Sequence, residues 1–384
     1  MKKGWKTMPL GELCDVLDHK RKPITKRDRE AGEYPYYGAT GVLDHVAGYL
    51  FDEPLVLVGE DGAKWASGEN TAFAVEGKIW VNNHAHVLRP HRTVLLDNWL
   101  IYHLNHSDLI EFVSGLTVPK LNQGCLREIP VPVPPLTEQQ RIVGLLDEAF
   151  EGLATAKANA EKNLQNAHAL FESHLQSVFT QRGPGWVEKH KPLSELCELI
   201  VDCEHKTAPI QEEGYPSIRT PNIGKGKLLL EGVNRVSEET YKAWTRRAEP
   251  LAGDLILARE APAGNVAVIP EDTRVCLGQR TVLIRPKADI FNPSFLALRL
   301  LEPQMQEKLL AHSRGATVQH VNMKDIRALD VGAIPRLRVQ EQIAANVNAV
   351  SAEGERLARL YERKHAALDA LKKSLLHQAF TGAL

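Results

Sequence analysis

The sequence predicts an α+β protein in which two mixed α/β domains are separated by two long antiparallel helices packed as an intramolecular coiled coil, the whole being a pseudo-two-fold internal repeat. Three observations carry this. Short motifs occur twice in one order, and each half closes on a long stretch with apolar residues at helical spacing. Each such stretch follows a segment of short β-branched runs broken by Gly and Pro. A chain of 384 residues is also too long for one ordinary core. The expected boundaries are 1–136 for the first domain, 137–181 for the central helix, 182–336 for the second domain and 337–384 for the last helix.

The repeat begins with Trp5…Pro9-Leu10-Gly11-Glu12-Leu13-Cys14, which returns as Trp186…Pro192-Leu193-Ser194-Glu195-Leu196-Cys197. His19-Lys20-Arg21-Lys22-Pro23-Ile24 returns as His205-Lys206-Thr207-Ala208-Pro209-Ile210, and Gly115–Asn122 returns as Gly315–Asn322. Pro135–Ile142 is matched by Arg336–Ile343, and Val178-Phe179-Thr180 by Ala379-Phe380-Thr381. The offset drifts only from about 181 to about 201, so the unit is roughly 190 residues, too long for a solenoid repeat.

Within each unit, Pro54–Val58 and Lys78–Val81, then Asp254–Ala258 and Arg280–Ile284, read as strands. One helix is expected in each, over Asn98–Glu111 and Pro293–Leu310. The Pro-rich run Ile129–Pro135 reads as a hinge, with Val331–Pro335 as its counterpart. In the central helix apolar or small residues fall at 142, 146, 149, 153, 156, 160, 164, 167, 171, 175 and 178, in steps of three and four. The last helix carries Ile343, Val347, Val350, Leu357, Tyr361, Leu368, Leu371, Leu375 and Ala379 in the same rhythm, with Gly354 and Lys364 as flaws. Two such stripes are most economically buried against each other. Net charges of −3 for residues 137–181 and +2 for 337–384 favour that pairing.

Composition places the chain among globular proteins, with 43% hydrophobic and 25% charged residues. No signal peptide and no membrane-length apolar run is expected, so the sequence points to a cytoplasmic protein. The five cysteines are scattered and never form a CxxC pair; Cys14 and Cys197, in matching contexts, read as small buried side chains. The net charge of −1 is unlike that of a freestanding nucleic-acid binder. Any nucleic-acid grip must then concentrate cations on one face or borrow them from a partner.

Pro134-Pro135-Leu136-Thr137-Glu138-Gln139-Gln140-Arg141-Ile142-Val143 resembles the signature that opens the central helix of type I restriction-modification specificity subunits. The segment Leu375–Leu384 resembles the end of that family's second helix. His205-Lys206…Pro209, Gly214–Arg219 with Asn222-Ile223, and Gly253–Arg259 are similar to its target recognition domains. The resemblance covers the whole chain. It implies a non-catalytic subunit with two target recognition domains, each reading half of a bipartite, asymmetric site on double-stranded DNA. It also implies two methylation subunits bound to the helices, and restriction subunits in the full complex. No cofactor is expected in this chain; S-adenosylmethionine, ATP and Mg²⁺ belong to the partner subunits, and no membrane is involved. A helix of ~42 residues spans about 60 Å. Rods of that length would hold two readers roughly one DNA turn, ~34 Å, or somewhat more apart.

For DNA contact the candidates in the first unit are Lys20, Arg21 and Lys22, in a loop suited to phosphates, with Tyr36, Tyr37 and His84. In the second they are Lys206, then Arg219, Asn222 and Lys225 on a Gly/Pro loop, with Gln279 and Arg280. Lys120 and Asn122, matched by His320 and Asn322, are the best-kept polar positions and suit a backbone role common to both halves. The alternative for each loop is an ordinary solvated turn. Candidate partner contacts are Glu138, Gln139 and Gln140, and Gln340, Glu341 and Gln342.

Enzymatic signatures are weak. Asn292-Pro293-Ser294-Phe295 resembles the NPP(F/Y) tetrapeptide of amino-methyltransferases, but an N-cap Asn followed by Pro at the first helical position explains it. Asp61…Glu76-Gly77-Lys78 has the form of a nuclease Asp…Glu-x-Lys at a loose spacing that a turn also produces. Gly224-Lys225-Gly226-Lys227 is not a P-loop.

Overall fold

The computed structural model of the chain describes residues 4–115, 117–313 and 319–384. It divides into two compact units, residues 1–162 with 361–384, and residues 163–360. Each unit therefore takes in part of both long helices.

The first unit opens with β1 (Lys6–Pro9), α1 (Leu10–Leu13) and β2 (Cys14–Val16). The hairpin β3 (Ala31–Gly38) and β4 (Gly41–Val46) follows, then β5 (Phe51–Asp52), β6 (Leu55–Gly59), β7 (Ala72–Val75), β8 (Lys78–Val81) and β9 (Ala85–Pro90). After α2 (Asp97–His106) come β10 (Val113–Ser114), β11 (Lys120–Leu121), α3 (Gln123–Glu128), β12 (Pro130–Val133) and the long α4 (Leu136–Thr180). A central sheet of order β2-β9-β6-β7 is covered on one side by α2 and the helix ends, and on the other by the sheet β4-β3-β8-β5. Alternation along β6 dictates this: Val56 and Val58 join the core under the helices, while Leu55 and Leu57 face the second sheet. All four are fully buried, which accounts for an unbroken apolar run.

The second unit repeats the plan. β13 (Trp186–Glu188), α5 (Leu193–Leu196), β14 (Cys197–Asp202), β15 (Tyr215–Ile218), β16 (Gly226–Lys227) and β17 (Arg235–Val236) precede α6 (Glu238–Trp244). Then come β18 (Leu255–Ala258), β19 (Val266–Val268), β20 (Cys276–Leu277), β21 (Thr281–Pro286), α7 (Pro293–Leu301), α8 (Pro303–Leu309), α9 (Met323–Ala328), β22 (Ala333–Pro335) and α10 (Leu337–Thr381). The sheet β14-β21-β18-β19 reproduces β2-β9-β6-β7 and adds β16 at its edge. The parallel pair β15–β20 reproduces β3–β8.

Cys14 and Cys197 are buried as expected, and burial pushes each thiol up to about 12. Asn292 caps α7, its side chain accepting from the Phe295 N–H at 3.1 Å with Pro293 behind it. The Glu76-Gly77 pair lies between β7 and β8, with Gly77 at φ +72°. Both the capping and the turn readings of these motifs hold.

Two expectations are corrected. The helix expected over Pro293–Leu310 breaks at Glu302, because Pro303 cannot donate into a continuing helix; Glu302 caps a separate helix instead. The supposed hinges are strands: β12 pairs with β1 from Lys6↔Val133 to Pro9↔Pro130, and β22 pairs with β13. A two-strand clasp can carry Pro130 and Pro132 because no central ladder depends on their missing N–H groups.

The helix stripes hold. Every apolar position expected on α4 is buried or half-buried. In the first unit the start of α4 runs antiparallel to the end of α10, with Arg141 bonded to the Leu384 carbonyl at 2.9 Å and Lys157 to Asp369 at 2.8 Å. On α10 two readings change. Leu371 is 47% exposed and Leu376 is buried in its place. Gly354 is no flaw: it is buried, and a Cβ there would lie 3.1 Å from the Ala167 carbonyl oxygen. The glycine lets the two helices of the second unit approach closely.

Helix ends enter the domain cores as the repeat requires. In the first unit Phe380 of α10 packs edge-on against Trp99 at 4.8 Å, with Trp5 beyond it at 5.6 Å. In the second unit Phe179 of α4 meets Phe295 at 5.6 Å and Trp186 at 5.9 Å.

Candidate nucleic-acid interface

In each unit several of the polar candidates gather at one end of the central sheet. The organising residues follow the equivalent strands β6 and β18: Glu60 and Asp61 in the first unit, Arg259 and Glu260 at the same two places in the second, where Asp61 and Glu260 bridge to Lys120 and His320. Glu60 is nearly buried and takes Lys120 at 2.8 Å and Arg21 in a close ion pair. Asp61 beside it is bonded to His84, and Lys120 lies 3.9 Å from its other oxygen. Arg21 also reaches Asp18 at 3.3 Å and the Ala85 carbonyl at 2.8 Å. Buried His86 stands between Asp18 at 2.6 Å and the Leu121 carbonyl at 2.7 Å. The network fastens the residues before β3, the turn before β9 and β11 to the end of β6.

The second unit builds the same junction from other residues. Glu260 takes His320 at 2.9 Å and Arg280 at 3.0 Å. Arg259 reaches Asp202 at 2.8 Å, His320 at 3.0 Å and the Val321 carbonyl at 3.0 Å, the last being the counterpart of the His86–Leu121 bond. His205 adds a contact to Asp202 at 3.2 Å, and Gln279 donates to the His205 carbonyl at 3.3 Å. Arg219 lies over Gly278, where a Cβ would come within 2.6 Å of its Cγ. Arg280 holds φ at +63°, a strained setting for a non-glycine residue and one often kept at functional positions.

The surroundings favour the charged form of Asp18 and Glu60. Burial works to raise the Asp18 carboxyl, but the His86 bond and charge and the Val87 N–H outweigh it and hold it below its ordinary value. Burial likewise opposes ionisation of Glu60, and the Lys120 and Arg21 bonds overcome it. Asp18, Glu60 and His86, and separately Asp202, Cys203 and His205, bring ligand-type atoms within 4.8 Å of one another. Arg21 and Lys120 at the first group, and Arg259 at the second, already supply the positive charge. Both groups are ion-pair networks.

Around these junctions lie the exposed candidates. Lys20, Lys22 and Lys206 are exposed and form no ion pair among the described residues; Arg219 is exposed as well. Lys22 is held beside the turn before β9 by its own backbone, N–H to Val81 at 3.3 Å and carbonyl to the Trp80 indole at 2.6 Å. His84, Gln279, Arg280, Lys120 and His320 sit on the junctions themselves. Asn122 and Asn322 lie at the starts of α3 and α9, exposed, and donate to Ser114 and Asp325. Leu116 and Gly315–Val318, within the paired Gly115–Asn122 and Gly315–Asn322 segments, lie outside the described residues.

Several candidates are engaged by groups of the chain itself. Arg21 is 13% exposed and saturated by carboxylates and carbonyls, so it is a structural cation. Tyr36 is 1% exposed, its hydroxyl bonded to Ile24 and its ring under Arg29; Tyr37 is half-buried against Phe73. Asn222 accepts from the Arg219 N–H and closes the turn 220–222. Lys225 and its neighbour Lys227 are paired with Glu172 of α4 and Glu355 of α10, away from the junction.

Among the helix-start candidates, Gln139 and Gln340 are wholly buried and cannot face a partner. Gln139 donates to the Val94 and Pro134 carbonyls at 2.8 Å and accepts from the Leu96 N–H at 2.9 Å. Gln340 repeats this with Ile290, Pro335 and the Asn292 N–H, each at 2.8 Å. The kept glutamines latch each helix start to its own domain. Gln140, Glu341 and Gln342 are exposed, and Glu138 is half-buried and paired with Arg141.

Sequence reading missed Glu60, Asp18, Asp202 and Glu260, and took Asp61 only as part of a loose nuclease-like motif. A signal was present: Asp61 and Glu260 follow matching strands as Lys120 and His320 match each other.

Fold and junction together define a tandem pair of one α/β domain, mounted on paired helices and presenting a polar edge twice. Residues 2–164 and 186–360 match the family model described as the type I restriction modification DNA specificity domain. The chain belongs to that family, as the sequence resemblance implied. It is 26% identical over 412 residues to the type I restriction enzyme EcoDI specificity subunit of Escherichia coli, covering 99% of this chain and 88% of that one. It is 24% identical over 294 residues to the EcoBI specificity subunit of the same species, covering 71% of this chain and 62% of that one. A relative from Haemophilus influenzae is 39% identical over 144 residues, which span 36% of its length. The fold is shared with the HsdS subunit of Thermoanaerobacter tengcongensis, at 19% identity and a TM-score of 0.58 over 100% of this chain and 98% of that one. A chain from a type I R-M system superposes with a TM-score of 0.70 at 20% identity, covering 100% and 99%. No helix among the described residues is long and apolar enough to cross a membrane.

Proposed function

We propose that this chain is the non-catalytic, DNA-reading subunit of a type I restriction-modification complex, each unit reading one half of a bipartite, asymmetric site on double-stranded DNA. The observation that carries the reading is the doubled junction: one scaffold position, Asp61 in one unit and Glu260 in the other, presents His84 and Lys120 in the first and Arg280 and His320 in the second. Readers of different half-sites need a common frame and different exposed groups. The helices space the units and dock two methylation subunits, with exposed Gln140, Glu341 and Gln342 as contacts; restriction subunits join the full complex. S-adenosylmethionine, ATP and Mg²⁺ act on those partners. Near-neutral charge favours weak DNA binding by the chain alone and a firm grip only in the complex.

The test is to purify the chain alone and with the methyltransferase of the neighbouring reading frame. Sequence-specific methylation and tight DNA binding are expected of the complex only. Single-molecule methylome mapping of the host, with and without the gene, gives the sequence read. Exchange of Arg219, Gln279 and Arg280 should then alter one half of it. Methylation or cleavage by the chain alone, or a complex without sequence preference, would overturn the reading.

A further inference from the structure

The β3–β4 hairpin ends beside the first junction and carries two exposed aliphatic side chains, Val42 at 48% and Leu43 at 55%. The ladder runs Tyr36↔Asp44 and then Tyr37↔Val42, which leaves Leu43 as the extra residue of a bulge. A bulge re-aims one side chain without ending the hairpin. Leu43 is turned over Gly38 and towards Asn82: a Cβ on Gly38 would lie 2.5 Å from its Cδ1 and 3.4 Å from the Asn82 amide nitrogen. Asn82 in turn accepts from the His84 N–H at 2.8 Å. The turn residue Ala39 abuts Gly59, next to Glu60, where a Cβ would meet its carbonyl oxygen at 3.1 Å.

The hairpin is braced for presentation. Arg29 stacks on the Tyr36 ring at 4.3 Å and is paired with Asp44 at 3.0 Å, on the residues that flank the bulge. The unpaired cation Lys22 is tied to the strand leading into Asn82. A braced aliphatic tip beside unpaired lysines suits a duplex better than an apolar protein face, since the lysines would meet phosphates. The major groove offers one apolar group, the thymine C5-methyl.

Resting on the DNA-reading function proposed above, we infer that Leu43, with Val42, contacts a thymine methyl in the half-site read by the first unit and sets specificity there. In the second unit β15 pairs with the separate strand β17 rather than with a hairpin partner, so this device belongs to the first unit.

The experiment uses the full chain in complex with its methylation subunits. Its probes are duplexes of the sequence methylated in the host, each thymine replaced in turn by deoxyuridine, which lacks only the methyl. Loss of one buried methyl is worth about fourfold in affinity. One position in one half-site should show that loss with the unaltered complex. Val42→Ala/Leu43→Ala, and Leu43→Ser as a second variant, should bind the thymine and deoxyuridine duplexes alike, while still copurifying with the methylation subunits. The inference is overturned if no thymine shows the loss, if the variants keep it, or if they instead lose the methylation subunits, which would make the tip a protein contact. Failure of the unaltered complex to prefer its site over unrelated duplex would sink the DNA-reading function itself, a separate outcome.

Discussion

Gln139 and Gln340 show how a repeated residue acquires meaning only from its surroundings. Each satisfies two carbonyls and one N–H while fully buried, so removing the amide strands three backbone groups at once. Gln139→Leu should lower stability by about 2–4 kcal/mol, read by urea unfolding, because buried polar groups without partners cost about 1–3 kcal/mol each and relaxation recovers part. Titratable residues give a second expectation. Burial lowers His103 from 6.5 to about 4, against the opposing pull of its Pro130 bond. The folded state therefore binds this proton less readily than the unfolded chain, and the stability present above pH 6.5 is lost as pH falls towards 4. Asp18 and Glu60, also lowered, add stability that persists above the ordinary carboxylate range and is lost below it. Unfolding midpoints of the first unit should thus fall in two stages on acidification, and Glu60→Gln should flatten the more acidic one.

At the scale of elements, the long helices were legible because a stripe in steps of three and four has one explanation, and burial along α4 follows it throughout. What the stripe could not convey was how close the helices come. Gly354 interrupts the pattern as a sequence, yet it admits the Ala167 carbonyl as a structure. Gly354→Leu should destabilise by about 1–3 kcal/mol, the usual cost of overpacking, seen as a lower melting temperature. The strands of the central sheets were legible as apolar runs, whereas the clasp strands were hidden by their prolines. For the site, exposed Lys20, Lys22, Lys206 and Arg219 could be picked by residue type. Tyr36, Arg21 and Lys225 looked alike on paper but differ in whether the fold supplies a partner, a tertiary fact that no spacing encodes.

For the molecule as a whole, the repeat is conservative in its frame and free at its edges. Clasps, glutamine latches, aromatic contacts and the Asp61 and Glu260 junctions recur, while the exposed groups differ. Binding should follow that division. Lys20→Ala/Lys22→Ala in the assembled complex should weaken binding to all duplexes and reduce the slope of log affinity against log salt by about two, without changing the sequence preferred. Inserting a turn of helix near Ala156–Ala160 should instead shift the tolerated gap between half-sites by about one base pair, read by methylation of duplexes with graded spacers. An unchanged gap would remove the helices from the role of spacer.

The seating of Phe380 on Trp99 bears on the order in which the protein can be made. Leu376, Ala379 and Phe380 close the core of the first unit, yet the ribosome reaches them only after it has completed all of residues 163–360. The domain begun first is therefore the one finished last, and its tryptophan waits uncovered while the other assembles. Nascent chains arrested after Leu360 should leave Trp99 open to a fluorescence quencher, and release of the full chain should protect it.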